Sequence, residues 1–136
     1  MDFKGYTAAE AGAFCARWLP AWTGNDPERL VAFYAGDAFY SDPARPGGMR
    51  GRDAILAYFQ ALLGRNPDWT WSHRRSDPLP GGFLNHWTAT VPLGAGIRTV
   101  EGVCIVQFRD GLIVRNEVFF DRSPLAFAAL PGEAGT

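Results

Sequence analysis

At Trp69 the apolar period of this chain changes, and that change limits its fold more than any other feature. Before it, apolar residues recur at helical spacing; after it, they alternate. Thr7-Ala8-Ala9-Glu10 reads as a capping box. Ala11, Phe14, Cys15, Trp18 and Trp22 then form one stripe, with Pro20 expected to kink or unwind the last turn. Gly24-Asn25 ends that helix, and Asp26-Pro27 starts a second, short one with Leu30, Phe33 and Tyr34 inward and Gly36 as its stop. A short strand, Ala38 to Asp42, and an irregular loop, Ala44 to Gly51, precede a third helix. Its stripe is Ile55, Tyr58, Phe59, Leu62 and Leu63.

Past Trp69 the pattern predicts four strands. Trp69, Trp71 and His73 share one face of the first, and Pro78 to Gly82 turns the chain. Phe83 to Val91, Ile97 to Arg109 and Leu112 to Asp121 follow, with Asp110-Gly111 a hairpin signal between the last two. Ser123-Pro124 opens an expected final helix to Leu130. Helices first and strands afterwards argue an α+β fold: a curved, cone-shaped antiparallel sheet packed against three N-terminal helices. The mouth of such a cone is a natural ligand site.

The chain has 136 residues, which suits a single domain spanning 1–136 with an ordered core from about 7 to 130. Apolar residues are 47% and charged residues 20%, a balance that permits a packed core. The net charge is −1 and no basic stripe occurs, which argues against nucleic acid as a partner. No run approaches the ~18 apolar residues that cross a bilayer, so no membrane role is expected. Cys15 and Cys104 lie in apolar segments without CxxC spacing and read as reduced thiols of a cytoplasmic protein. No metal ligand set and no cofactor motif is seen: Gly47-Gly48 and Gly94-Ala95-Gly96 are turns, outside a strand–helix nucleotide context.

Five short motifs stand in order along the chain: Asn25-Asp26-Pro27-Glu28, Tyr40-Ser41-Asp42-Pro43, Gly51-Arg52-Asp53-Ala54-Ile55, Phe108-Arg109-Asp110-Gly111-Leu112-Ile113 and Phe119-Phe120-Asp121. Together they resemble the SnoaL-like, ketosteroid-isomerase-like branch of the nuclear-transport-factor-2-like superfamily, whose roll is also called cystatin-like. The resemblance implies the cone fold. It leaves the activity open, because that superfamily holds isomerases, cyclases, hydrolases, dehydratases and non-catalytic binders.

By the same resemblance Asp42 looks like the general-base aspartate of the ketosteroid isomerases. A carboxylate facing an apolar cone is suited to moving a proton beside a carbonyl. Read without the family, Asp42-Pro43 simply opens a turn. Trp18 and Cys104 stand where the isomerases carry their oxyanion donors, and both are weaker acids than the usual pair. His86, Thr88, Asn116 and Val118 stand where epoxide hydrolases would need charged groups. His73 is a second catalytic candidate if its face is concave. Trp18 and Asn116 are expected to orient a substrate, with Tyr34, Phe59, Trp87, Cys104, Val118 and Phe120 around it. Asp121 is read as pairing with Arg122 or a helix terminus, and Glu101, Glu117 and Arg115 as a solvated or interface face. The expected function is a small apolar-ligand pocket, with Asp42 as acid–base of a cofactor-independent isomerase, cyclase or lyase acting on a carbonyl-type metabolite. The alternative is a non-catalytic binder or dimeric accessory protein. Homodimerisation through the outer sheet face is the expected assembly.

Overall fold

The computed structural model describes residues 5–123. Helix α1 covers Ala8–Trp18. Its capping box is closed: the Glu10 N–H donates to Thr7 Oγ1 at 3.1 Å, and the Thr7 N–H donates to Glu10 Oε1 at 2.9 Å. Ala11, Phe14, Cys15 and Trp18 are its buried stripe. Pro20 cannot continue the helix, and the chain tightens into a 3-10 turn over Leu19–Trp22. Gly24 at φ 88° and Asn25 at φ 58° then turn it through the left-handed region. Asp26 caps α2, Pro27–Val31, by accepting from the Arg29 N–H at 3.2 Å.

Two expectations fail between Val31 and Gly51. Helix α2 stops at Val31, and strand β1 begins at Tyr34 and runs to Asp42. The Ile113 N–H donates to Phe33 O at 2.9 Å, so sheet pairing overrides the helical periodicity of Phe33 and Tyr34. The expected loop is instead strand β2, Arg45–Arg50. It tolerates Pro46 and two glycines because it lies at the edge of the sheet. Gly48, at φ 74°, is required there, since a Cβ would sit 2.3 Å from the Phe39 ring.

Helix α3 spans Arg52–Arg65 and buries Ile55, Tyr58, Phe59 and Leu63. Strands β3 (Thr70–Leu79), β4 (Gly82–Leu93), β5 (Gly96–Arg109) and β6 (Leu112–Phe120) follow as three successive antiparallel pairings. The six strands lie in the order β2-β1-β6-β5-β4-β3, in one curved, unclosed sheet. All neighbours are antiparallel except β1 and β6, which run parallel. The helices cover the concave face. Phe83, Asn85, Trp87, Ala89 and Val91 alternate inward along β4, while Leu84, His86, Thr88 and Thr90 face out and are partly exposed. The expected helix to Leu130 lies outside the described residues.

Candidate functional site

The helices do not fill the concave face. A hollow of about 710 Å³, its open mouth included, remains between them and the sheet. Trp18 of α1, Trp22 of the 3-10 turn and Leu62 and Leu63 of α3 form one side. The sheet side is supplied by Trp71, Trp87, Val100, Cys104, Val118 and Phe120. Tyr40 and Asp42 enter from β1, and Asn85 and Asn116 from β4 and β6.

Asp42 is 7% exposed, and its two oxygens have different partners. Oδ1 accepts from the Ala44 N–H at 2.9 Å and the Arg45 N–H at 3.0 Å, which closes the β1–β2 turn. Oδ2 accepts from two phenols, Tyr40 at 2.8 Å and Tyr58 at 2.6 Å. Burial, reinforced by the Asp42 charge, pushes the Tyr40 hydroxyl well above the usual phenol range. Tyr58 is raised likewise, first by burial and then by its hydrogen bond to Asp42. Both phenols therefore keep their protons and remain donors. Oδ1 serves the turn, and Oδ2 meets only the hydroxyls of two phenols.

A second polar group lies midway along β6. Asn116 Nδ2 donates to the Tyr34 hydroxyl at 3.0 Å. Burial pushes the Tyr34 hydroxyl upward, so it too stays a phenol. Among the described residues, Trp18 Nε1 and Asn116 Oδ1 are the buried side-chain atoms without a hydrogen-bond partner. Trp18 Nε1 approaches the Tyr34 hydroxyl without bonding geometry. An unmet buried polar atom costs about 1–3 kcal/mol, so a ligand that satisfied either would recover that energy.

A third group crosses the sheet. His73 Nδ1 lies 2.6 Å from Asn85 Oδ1, and Asn85 Nδ2 donates to Cys104 Sγ at 3.6 Å. Burial pushes the Cys104 thiol up to about 12, so it is a poor nucleophile and a weak donor.

A model of the SnoaL-like domain matches residues 15–116. A steroid Δ-isomerase of Nocardioides simplex is 42% identical over 114 residues, covering 83% of this chain and 91% of the relative. The chain belongs to the SnoaL-like family. Two solved structures share the fold. One is a hypothetical protein with a ketosteroid-isomerase-like fold from Catenulispora acidiphila, in complex with trimethylamine, with a TM-score of 0.72 at 18% identity over 95% of both chains. The other is a putative ketosteroid isomerase from Kribbella flavida, with a TM-score of 0.60 at 22% identity, covering 84% of this chain and 79% of that one.

The site residues expected for this SnoaL-like chain divide into three sets. Asp42, Trp18, Trp87, Cys104, Asn116, Val118 and Phe120 border the hollow. Tyr34 and Phe59 do not; both are fully buried in the core behind it, and Tyr34 is bonded to the lining residue Asn116. His73 is on the concave side, but its ring bonds Asn85, not Asp42, and it is not a lining residue. His86 faces outward and meets Asp77 at 2.8 Å. Asp121 accepts from the Ser123 N–H at 2.9 Å and its hydroxyl at 2.7 Å, a local turn. Arg115 pairs with Glu117 and Arg74 with Glu101 on the outer face.

Sequence reasoning missed Asn85, Trp22, Trp71 and Tyr58. Asn85 carried a signal: it is the one strongly polar residue in the inward phase of β4. Tyr58 carried none, because its partner lies 16 residues away and its spacing fits a core stripe. Among the described residues no group of three or more His, Cys, Asp or Glu side chains could hold a metal, and no helix is long and apolar enough to cross a membrane.

Proposed function

We propose that the hollow binds a small apolar carbonyl compound and that Asp42 Oδ2 moves a proton on it, as in a cofactor-independent isomerase, cyclase or lyase. One observation carries this reading: Asp42, the single carboxylate among the described residues that borders the aromatic hollow, is almost wholly removed from water, with one oxygen anchored and the other held only by phenols. When a substrate enters, the Tyr40 or Tyr58 hydroxyl turns away, and Oδ2 takes a proton from the carbon beside the carbonyl. The resulting enolate collects its proton back at another carbon, so acid and base are regenerated. Asn116, and Trp18 if its N–H turns toward the ligand, would stabilise the enolate oxygen. A relative that is 42% identical and named a steroid Δ-isomerase supports this class of reaction.

The test is conversion of a β,γ-unsaturated 3-ketosteroid to its conjugated isomer, followed by ultraviolet absorbance. Asp42→Asn should lower turnover ~100-fold or more. Equal turnover by the variant would remove Asp42 from the mechanism.

A second reading, ligand binding without chemistry, is favoured by Trp18 and Cys104, which are poor oxyanion donors. It predicts ligand-induced stabilisation without product. We infer homodimerisation through the outer sheet face, where Phe119 is 49% exposed beside Val103. Phe119→Glu should then yield a monomer by light scattering, and a wild-type monomer at high concentration would contradict the assembly. The two buried free thiols suit a reducing compartment such as the cytoplasm.

A further inference from the structure

We propose that the hollow selects ligands carrying a small alkylated ammonium group, held by tryptophan faces against the fixed charge of Asp42. This rests on the hollow being the ligand site, as proposed above, but not on Asp42 moving a proton.

The chain has five tryptophans, and all five border this one space: Trp18, Trp22, Trp69, Trp71 and Trp87. They come from three stretches far apart in sequence, Trp18 with Trp22, Trp69 with Trp71, and Trp87, so the concentration is a product of the fold. Indole faces attract cations more strongly than phenyl or phenol faces. Their planes are inclined to one another, 68° for Trp18 and Trp22, 48° for Trp22 and Trp71, 44° for Trp69 and Trp71. The indoles therefore do not stack as a parallel slab.

The charge pattern agrees. Asp42 is the one formally charged side chain bordering the hollow; no lysine, arginine or histidine does so among the described residues. Outside the lining, the exposed Arg45 lies over the Tyr58 ring at 5.6 Å, and the exposed Arg65 also acts on the Tyr58 hydroxyl. A cationic ligand would thus meet attraction from ring faces and carboxylate, with the opposing charges of Arg45 and Arg65 exposed to water and screened.

Hydrogen bonding narrows the class further. A carboxylate offers about four acceptor positions, and Asp42 already receives four donors. A primary amine entering here would have to displace one of them. A fully alkylated ammonium has no N–H to satisfy; it needs only the field and apolar contact. The remaining wall, with Val100, Val118 and Phe120, suits the apolar body of such a ligand.

The test compares choline with its uncharged carbon isostere, 3,3-dimethylbutan-1-ol, by tryptophan fluorescence titration and calorimetry. Wild-type protein should bind the cation about tenfold more tightly than the alcohol. Asp42→Asn should weaken the cation about tenfold and leave the alcohol within about twofold, and Trp71→Leu should weaken the cation as well. Equal or tighter binding of the alcohol by wild-type protein overturns the proposal, and needs no variant to fold. So does a cation affinity that ignores Asp42→Asn in a variant whose circular dichroism is native. If neither probe binds while a neutral 3-ketosteroid does, the cation preference falls and the proposed function stands. If none of the three binds, both fall.

Discussion

Tyr58→Phe isolates one bond to the Asp42 carboxylate. The substitution deletes the hydroxyl and keeps the ring, which packs on Tyr40 at 5.7 Å and lies under Arg45. The lost hydrogen bond is short, 2.6 Å, buried and made to a charged acceptor. Bonds of that kind contribute about 1.5–3 kcal/mol. For a domain of this size such a loss lowers the melting temperature by roughly 5–12 °C. In an Asp42→Asn background the acceptor is neutral, and the same change should cost only about 0.5–1.5 kcal/mol. The double-mutant cycle, measured by urea denaturation, should therefore show coupling of about 1 kcal/mol or more. Equal costs in the two backgrounds would refute the account of Asp42 as an ionised acceptor shared by two phenols.

Alkaline stability follows from the thiols. Burial raises Cys15 and Cys104 from an ordinary 9.0 to about 12 in the folded chain. From pH 9 upward the unfolded chain gives up these protons and the folded chain keeps them. The unfolded state then binds fewer protons, so stability is full below pH 9 and falls as pH rises toward 12, by up to about 1.4 kcal/mol per unit for each thiol. Denaturation at pH 8 and 9.5 should show the loss, and a Cys15→Ala, Cys104→Ala variant should remove most of it; the raised Tyr34, Tyr40 and Tyr58 phenols add their own loss only as the pH passes about 10. Two glycines should respond oppositely to alanine. Gly12, inside α1 with nothing within 4 Å of a built Cβ, should gain about 0.5–1 kcal/mol. Gly82, where a Cβ would stand 1.8 Å from Val106 O, should lose several-fold more than that in thermal melts. Gly102→Ala should drive the Trp87 ring, 2.3 Å from the added carbon, out of place and shift the fluorescence of the hollow.

The change of period at Trp69 was legible because each half repeats one pattern long enough to be distinct. The start of α3 and the Asp110-Gly111 hairpin were legible because local chemistry sets them: Asp110 at φ 54° and Gly111 at φ 82° supply the turn. Strand β2 was not, since Pro46-Gly47-Gly48 has loop chemistry and pairs only through β1. The early start of β1 was hidden for the same reason: its partner, β6, lies nearly eighty positions along the chain, as the Tyr34–Ile113 pairing shows. Alternation assigned Trp69, Trp71 and His73 to one face, but the register slip between His73 and Arg75 lies just beyond them, and phase alone could not say which face was concave. Nor does phase give depth: Tyr34 and Phe59 point inward as expected yet end behind the hollow. Asp42 was legible as either a turn residue or a proton carrier, and the geometry divides the two roles between its oxygens.

Deuterium exchange tests the proton-transfer claim most directly, because it needs no knowledge of the final product. In D2O, the carbon beside the carbonyl of a 3-ketosteroid should take up deuterium in the presence of the protein, as followed by NMR. The account predicts exchange ~100-fold faster with wild-type protein than with Asp42→Asn. Exchange that is the same for both proteins, or no faster than in buffer, would contradict it.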